Sequence, residues 1–215
     1  MGSTNVNWNR QAAVWVVPLL TWAFLCLPLL NADTHAETLR GIVEVEGHKA
    51  LKNLIVYLAP ETPGQVIVSP LNHQVSQKGR TFNPDLLVMV PGDTIQWLND
   101  EDREIDHNVY SLNKVKTFDL GLHERGSIME LTINKVARLT YFCSVHKRME
   151  GRLIVLPSRY FTILEKPGTF ILPNVPRGNW TLRAVVFHRR YTSEAVQVSV
   201  GAHPVKDLVL TIVKK

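Results

Sequence analysis

The densest chemistry in this 215-residue chain lies in residues 141–151, Tyr-Phe-Cys-Ser-Val-His-Lys-Arg-Met-Glu-Gly. Cys143, His146 and Met149 stand in a C-x-x-H-x-x-M spacing. The run enters from RLTYF (138–142) and leaves to RLIVL (152–156), both with the composition of strands. A short loop between two strands is a stiff support for ligands. Upstream, His107 sits in DHNVYS, where strand-like sequence resumes after the charged loop DEDREID (100–106). Taken singly, the cysteine reads as a buried thiol, the methionine as core filler and the histidines as surface groups. Together they offer one thiolate, two imidazoles and one thioether. Soft sulfur favours Cu(I), imidazole serves both Cu(I) and Cu(II), and two His, one Cys and a weak Met make the blue-copper donor set. Structural zinc takes four Cys or His ligands and not Met, and iron–sulfur clusters need more cysteines than this chain has.

The compartment sharpens that reading. After Arg10, residues 12–30 run AAVWVVPLLTWAFLCLPLL without a charge, and the small residues Ala32 and Ala36 follow. Residues 1–36 therefore read as a cleaved secretory signal or a retained membrane anchor, with Pro18 and Pro28 weakening residues 12–30 as a spanning helix. The expected location is periplasmic or exported, at the inner membrane if the anchor stays. Cys26 falls inside this segment, which leaves Cys143 as the single cysteine of the exported part and rules out an internal disulfide there. Apolar residues make up 45% and charged residues 20%, which excludes a disordered chain and a polytopic membrane protein. The formal charge is +5, but Lys and Arg are scattered, so nucleic acid is not an expected partner.

The elements that must position these residues read as strands. Short runs rich in Val, Ile, Leu and aromatics recur between Gly, Pro, Asn and Asp: LIVYL (54–58), LLVMV (86–90), TIQWL (94–98), SIMELTI (127–133), then 169–172, 180–187, 195–200 and 208–213. Pro91-Gly92-Asp93 forms a tight turn. The pattern predicts an all-β chain of sandwiches or barrels, with a boundary near Pro157. A strand pair, Arg40–Glu46 and Leu54–Pro60, precedes the segment that carries the histidines.

The stretch from Phe82 to Pro157 resembles the cupredoxins, the plastocyanin and amicyanin family. The matching words are TFNPDLLVMVPGDTIQWLND, HNVYS and YFCSVHKRMEG. The short ligand loop is similar to amicyanin's, and FDLGL (118–122) resembles a segment of exported proteins of methylamine-utilisation type. The resemblance implies a Greek-key sandwich over about 65–157, one mononuclear type 1 copper held by His107, Cys143, His146 and Met149, and Asn108 steadying the ligand loop by hydrogen bonding. One departure is that Lys147 and Arg148 follow His146 where the family often has Pro and apolar residues. They read either as solvated loop residues or as cations that raise the reduction potential or dock an acidic partner.

A second resemblance is to carboxypeptidase regulatory-like domains, small transthyretin-type sandwiches. Its words are GIVEVEGHKALKNLIVYL (41–58) and GTFILPNVPRGNWTLRAV (168–185), with Pro167 departing from the usual Asp. It implies that residues 40–60 join 159–215 in one sandwich into which the cupredoxin is inserted. The alternative is that 41–60 belongs with the cupredoxin as a sequence neighbour.

The resulting expectation is an exported electron carrier, not a catalyst, passing single electrons between redox partners. Copper binding and delivery is an alternative. So is a surface module that binds carbohydrate or protein on the second sandwich, with copper as an accessory. No Ser/His/Asp arrangement, H-E-x-x-H or paired-carboxylate signature points to a hydrolase. His73, His123 and His188 have no partner spaced as well as the Cys143 set. His48 and His203 fall in turn-like sequence and read as solvated.

Overall fold

Runs of β-branched and aromatic residues broken by Gly, Pro and Asn leave little for the chain to form but strands. The structure is a computed structural model, and it describes residues 36–48, 50–62, 69–201 and 203–215. The segment expected to be a signal or anchor, 1–36, lies outside the described residues except for Ala36. Residues 65–68 of the expected cupredoxin stretch lie outside them too. Among the described residues no helix is long and apolar enough to cross a membrane. The chain is all-β.

The strands are β1 (Glu37–Val45), β2 (Leu54–Pro60), β3 (Asn72–Ser76), β4 (Leu86–Met89), β5 (Thr94–Leu98), β6 (His107–Asn113), β7 (Lys116–His123) and β8 (Ile128–Thr132). They continue as β9 (Ala137–Phe142), β10 (Glu150–Val155), β11 (Phe161–Leu164), β12 (Thr169–Val175), β13 (Gly178–Val185), β14 (Tyr191–Ser193), β15 (Val196–Val200) and β16 (Leu208–Lys214).

The middle of the chain makes one sandwich. A sheet ordered β4-β10-β9-β6-β7 packs on a sheet ordered β3-β5-β8. Their inward side chains, among them Val75, Trp97, Val109, Leu139, Tyr141 and Leu153, form a closed core. The two ends of the chain make the other. There the orders are β12-β1-β16-β14 and β11-β2-β13-β15, around Leu39, Leu58, Phe170, Trp180, Leu182 and Ile212. β1 and β2 do not pair with each other, contrary to the expected strand pair. They lie in opposite sheets, β1 against β12 and β16, β2 against β11 and β13.

Two strands read as near-continuous apolar runs because both of their faces are covered. In β2, Leu54, Val56 and Leu58 enter their own sandwich core while Ile55 points the other way. In β10, Leu153 and Val155 do the same and Ile154 points outward. Ile55 and Ile154 meet with Val88 and Leu156 in a small apolar seam between the sandwiches. Each such aliphatic side chain contributes about 1.5–3 kcal/mol when fully buried. The seam is completed by charge. Arg159 forks onto the buried Asp93 of the Gly92-Asp93 turn, Nη2 to Oδ1 at 2.6 Å and Nη1 to Oδ2 at 2.9 Å.

Candidate metal centre

One hairpin and one neighbouring strand build the site. β9 and β10 pair antiparallel up to Phe142 opposite Glu150, so residues 143–149 form the loop that joins them. Two backbone bonds close it: Cys143 N–H donates to Met149 O at 3.1 Å, and Met149 N–H to His146 O at 3.0 Å. At the loop's exit Gly151 lies opposite Tyr141, and a Cβ there would come within 2.3 Å of the tyrosine ring. Only glycine lets that ring cross the strand. β6 lies beside β9 through Tyr110 opposite Phe142, and this brings its first residue, His107, to the loop.

The donors converge. Cys143 Sγ lies 3.8 Å from His107 Nδ1 and 3.6 Å from His146 Nδ1, and the three atoms all lie within 4.8 Å of one another. Cys143, His107 and Met149 are buried, while His146 is half-buried. Met149 joins the same apolar cluster as Cys143. Burial, then the neighbouring His107 and Arg80, push the His146 imidazole below its ordinary pKa, which favours the form with a lone pair to offer.

The outer ring of the site holds each donor in place. His107 Nε2–H donates to the Glu101 carboxylate at 3.1 Å, which fixes the tautomer that leaves Nδ1 free to ligate. Burial pushes Glu101 up, but the N–H groups of Arg80 and Gly79 and the His107 imidazole outweigh it and keep the carboxyl below its usual range. Those two N–H groups aim at one point because Gly79 and Arg80 both take positive φ, at 71° and 57°. Asn99, fully buried, donates to Ile105 O and His123 O and so ties the 100–106 loop down. Asn108 accepts Ser144 N–H at 3.3 Å and donates to Asp119 at 2.7 Å, linking β6, β7 and the residue after Cys143.

With this geometry in view, the chain can be set beside known proteins. No protein-family model matches it, and no curated protein does. Among solved structures it is similar to a reduced amicyanin variant, at 19% identity over 47% of this chain and 98% of that one, with a TM-score of 0.36. It is also similar to a purple cupredoxin from Nitrosopumilus maritimus, at 21% identity over 39% of this chain and 98% of that one, TM-score 0.35. A Cu-containing nitrite reductase from Thermus scotoductus SA-01 aligns at 23% identity over 45% of this chain, TM-score 0.39, but the match spans only 25% of that reductase.

Among the described residues, His73, His123, His188 and His203 stay out of the donor cluster. His123 is buried opposite His107 in the β6–β7 register and bonds through Nε2 to Gln77 Oε1. His73 bonds Asp93 at 2.9 Å, His188 packs edge-on to Tyr191, and His203 is exposed. Nothing is described of the His48 side chain. Sequence reading missed Glu101 and Arg80. Glu101 is one acid among several in a charged loop, and no spacing rule couples it to His107. The loop's only sign of constraint is Asn99 just before it.

The ligand loop and the neighbouring end of β7, where Leu122 stands opposite Asn108, expose both apolar and basic residues. Val145 is 48% and Leu122 63% exposed. Lys147 and Arg148 are exposed beside them, and Arg80 is near enough to act on the His146 pKa.

Proposed function

We propose that the chain is an exported type 1 (blue) copper protein that carries single electrons between redox partners. The observation that carries the reading is the convergence of one cysteine sulfur and two imidazole Nδ1 atoms within 4.8 Å, in a buried pocket with Met149 packed beside the cysteine. This donor set fits copper better than zinc, because a thioether and a single thiolate suit a soft metal that also accepts imidazole. His107, Cys143 and His146 would hold the ion, and Met149 would add the weak fourth donor. Bound copper would supply a one-electron couple.

The chain's own residues then have distinct tasks. Glu101 orients His107 from behind, and Asn108 holds the start of the ligand loop. Strand β9, β10 and the two loop hydrogen bonds keep donors from moving, which lowers the cost of switching oxidation state. Val145, Leu122 and the half-buried His146 edge offer an apolar contact, and Lys147, Arg148 and Arg80 favour a partner with an acidic rim. We read the β3–β10 sandwich as the cupredoxin, inserted into a carboxypeptidase regulatory-like sandwich made by β1, β2 and β11–β16. The pairing of β1 and β2 with the C-terminal strands supports that division. Periplasmic export, with anchoring to the inner membrane through residues 12–30, completes the proposal, and the second sandwich is free to bind carbohydrate or protein.

The reading is tested by titrating the full chain with Cu(II) beside a Cys143→Ser variant. The native chain is expected to take up one copper with an intense visible colour, and the variant to lose the colour while keeping its circular dichroism. A coloured Cys143→Ser protein would remove Cys143 from the ligand set.

A further inference from the structure

A second concentration of charge lies at the seam between the sandwiches, at the end of β9 opposite Cys143. A cavity of about 380 Å³ opens there, lined by Arg138, Phe187, Arg189 and Lys215 among others. A neighbouring cavity of about 240 Å³ shares the Val186–His188 wall and is lined by Lys52 and Arg152. No Asp or Glu lines either cavity among the described residues.

The cations are held close together. Arg138 stands opposite Ile154 in the β9–β10 register, and Arg152 is two residues along on the same face. Both guanidinium groups lie on the Phe187 ring, at 4.7 and 5.1 Å from its centroid. Arg138 also donates to Val186 O at 3.1 Å, which fixes one edge of its fork, and the residue lines the cavity. Arg152 has an acid, Asp85, at 2.8 Å. Arg138 and Arg189 have none within ion-pair distance among the described residues. Partial burial and then the charge of Arg152 push the Arg138 guanidinium below its ordinary pKa, the mark of a cation short of compensation. Arg138 and Arg152 are diagonal neighbours across the two strands, and of the two only Arg152 has a carboxylate, so an anion entering the cleft would supply the counter-charge that Arg138 lacks.

We propose that this cleft binds a phosphoryl-bearing anion, with Arg138 and Arg189 as the oxygen-binding forks. A guanidinium matches an oxyanion bidentately, and several cations around one concavity suit a multiply charged group better than a single carboxylate. The cavity volume falls within the range of small-ligand pockets and is concave, unlike a flat docking face. The phosphoryl group could belong to a soluble molecule or to a phospholipid headgroup.

The test is calorimetric titration of the full chain with inorganic pyrophosphate, repeated with Arg138→Gln and Arg189→Gln. Arg189 is exposed and bonded to nothing among the described residues, so its variant keeps the fold whatever Arg138→Gln does. Saturable binding is expected, weakened about tenfold in each variant and weakened by salt, since each loses one charge-assisted contact. Sedimentation with phosphatidylglycerol vesicles separates the two sources. Vesicle binding that Arg189→Gln reduces assigns a lipid headgroup. Pyrophosphate binding without vesicle binding assigns a soluble ligand. Failure to bind either probe, or binding unchanged in Arg189→Gln, overturns the proposal.

Discussion

Replacing Arg159 by Met is expected to cost about 3 kcal/mol of folding stability at neutral pH. Arg159 follows the boundary at Pro157 and clamps the turn that starts β5. Its guanidinium makes two bonds to Asp93, at 2.6 and 2.9 Å, and Nη2 also donates to Ser69 O at 2.7 Å. Asp93 is fully buried, so losing its partner leaves a charge that water cannot reach. Breaking a buried pair from one side costs about 3–5 kcal/mol. The lower end applies, because Leu71 N–H, Val90 N–H and His73 still serve the carboxylate and Arg159 is itself 24% exposed. Burial alone would push the Asp93 carboxyl up. The bonds from Arg159, His73 and the two backbone N–H groups outweigh it and hold the carboxyl well below the usual carboxylate range. A folded-state pKa below the unfolded value gives stability that is present above about pH 4 and fades as the pH falls toward the folded value. The gap between native and Arg159→Met should therefore be full at neutral pH and narrow steadily in acid. Urea unfolding at a series of pH values measures it, with the slope m reporting whether the two states stay comparable. A gap below about 1 kcal/mol at neutral pH, the size of a surface ion pair, would show that the buried Asp93 does not depend on Arg159. So would a gap that does not shrink in acid.

Further outcomes follow from the site. Glu101→Ala should weaken copper retention about 10–100-fold in chelator competition, because His107 loses the group that fixes its ring and tautomer. Glu101→Gln, which can still accept from Nε2, should recover most of that loss. Unchanged retention in the alanine variant would reduce Glu101 to a bystander. Met149→Gln should keep copper and lower the reduction potential, since an oxygen donor favours Cu(II), as read by voltammetry. An unchanged potential would take Met149 out of the ligand set.

The strands that carry the site were legible where burial imposed a pattern. LIVYL and RLIVL stand out because β2 and β10 are covered on both faces, through Ile55 and Ile154 at the seam. β7 is harder to read. It lies at the edge of its sheet, and Thr117, Asp119, Gly121 and Leu122 are exposed, so Lys116–His123 lacks an alternating apolar signal. β3 has one buried residue, Val75, and reads as loop for the same reason. Cys143 and His146 are legible because one loop carries both, and His107 because a strand signal restarts at it. Glu101 is not, because its meeting with His107 depends on the backbone turn at Gly79 and Arg80, distant in sequence. The opposite placement of β1 and β2 is likewise set by strands far along the chain, β12, β13 and β16.

In the proposed site His107, Cys143, His146 and Met149 would hold one copper with a cysteine thiolate bound to it. Absorption and electron paramagnetic resonance spectra of the chain after Cu(II) addition test it most directly. An intense visible thiolate-to-copper band with narrow copper hyperfine splitting is expected, at one copper per chain. A chain that takes up no stoichiometric copper, or binds it without a thiolate band, would contradict it.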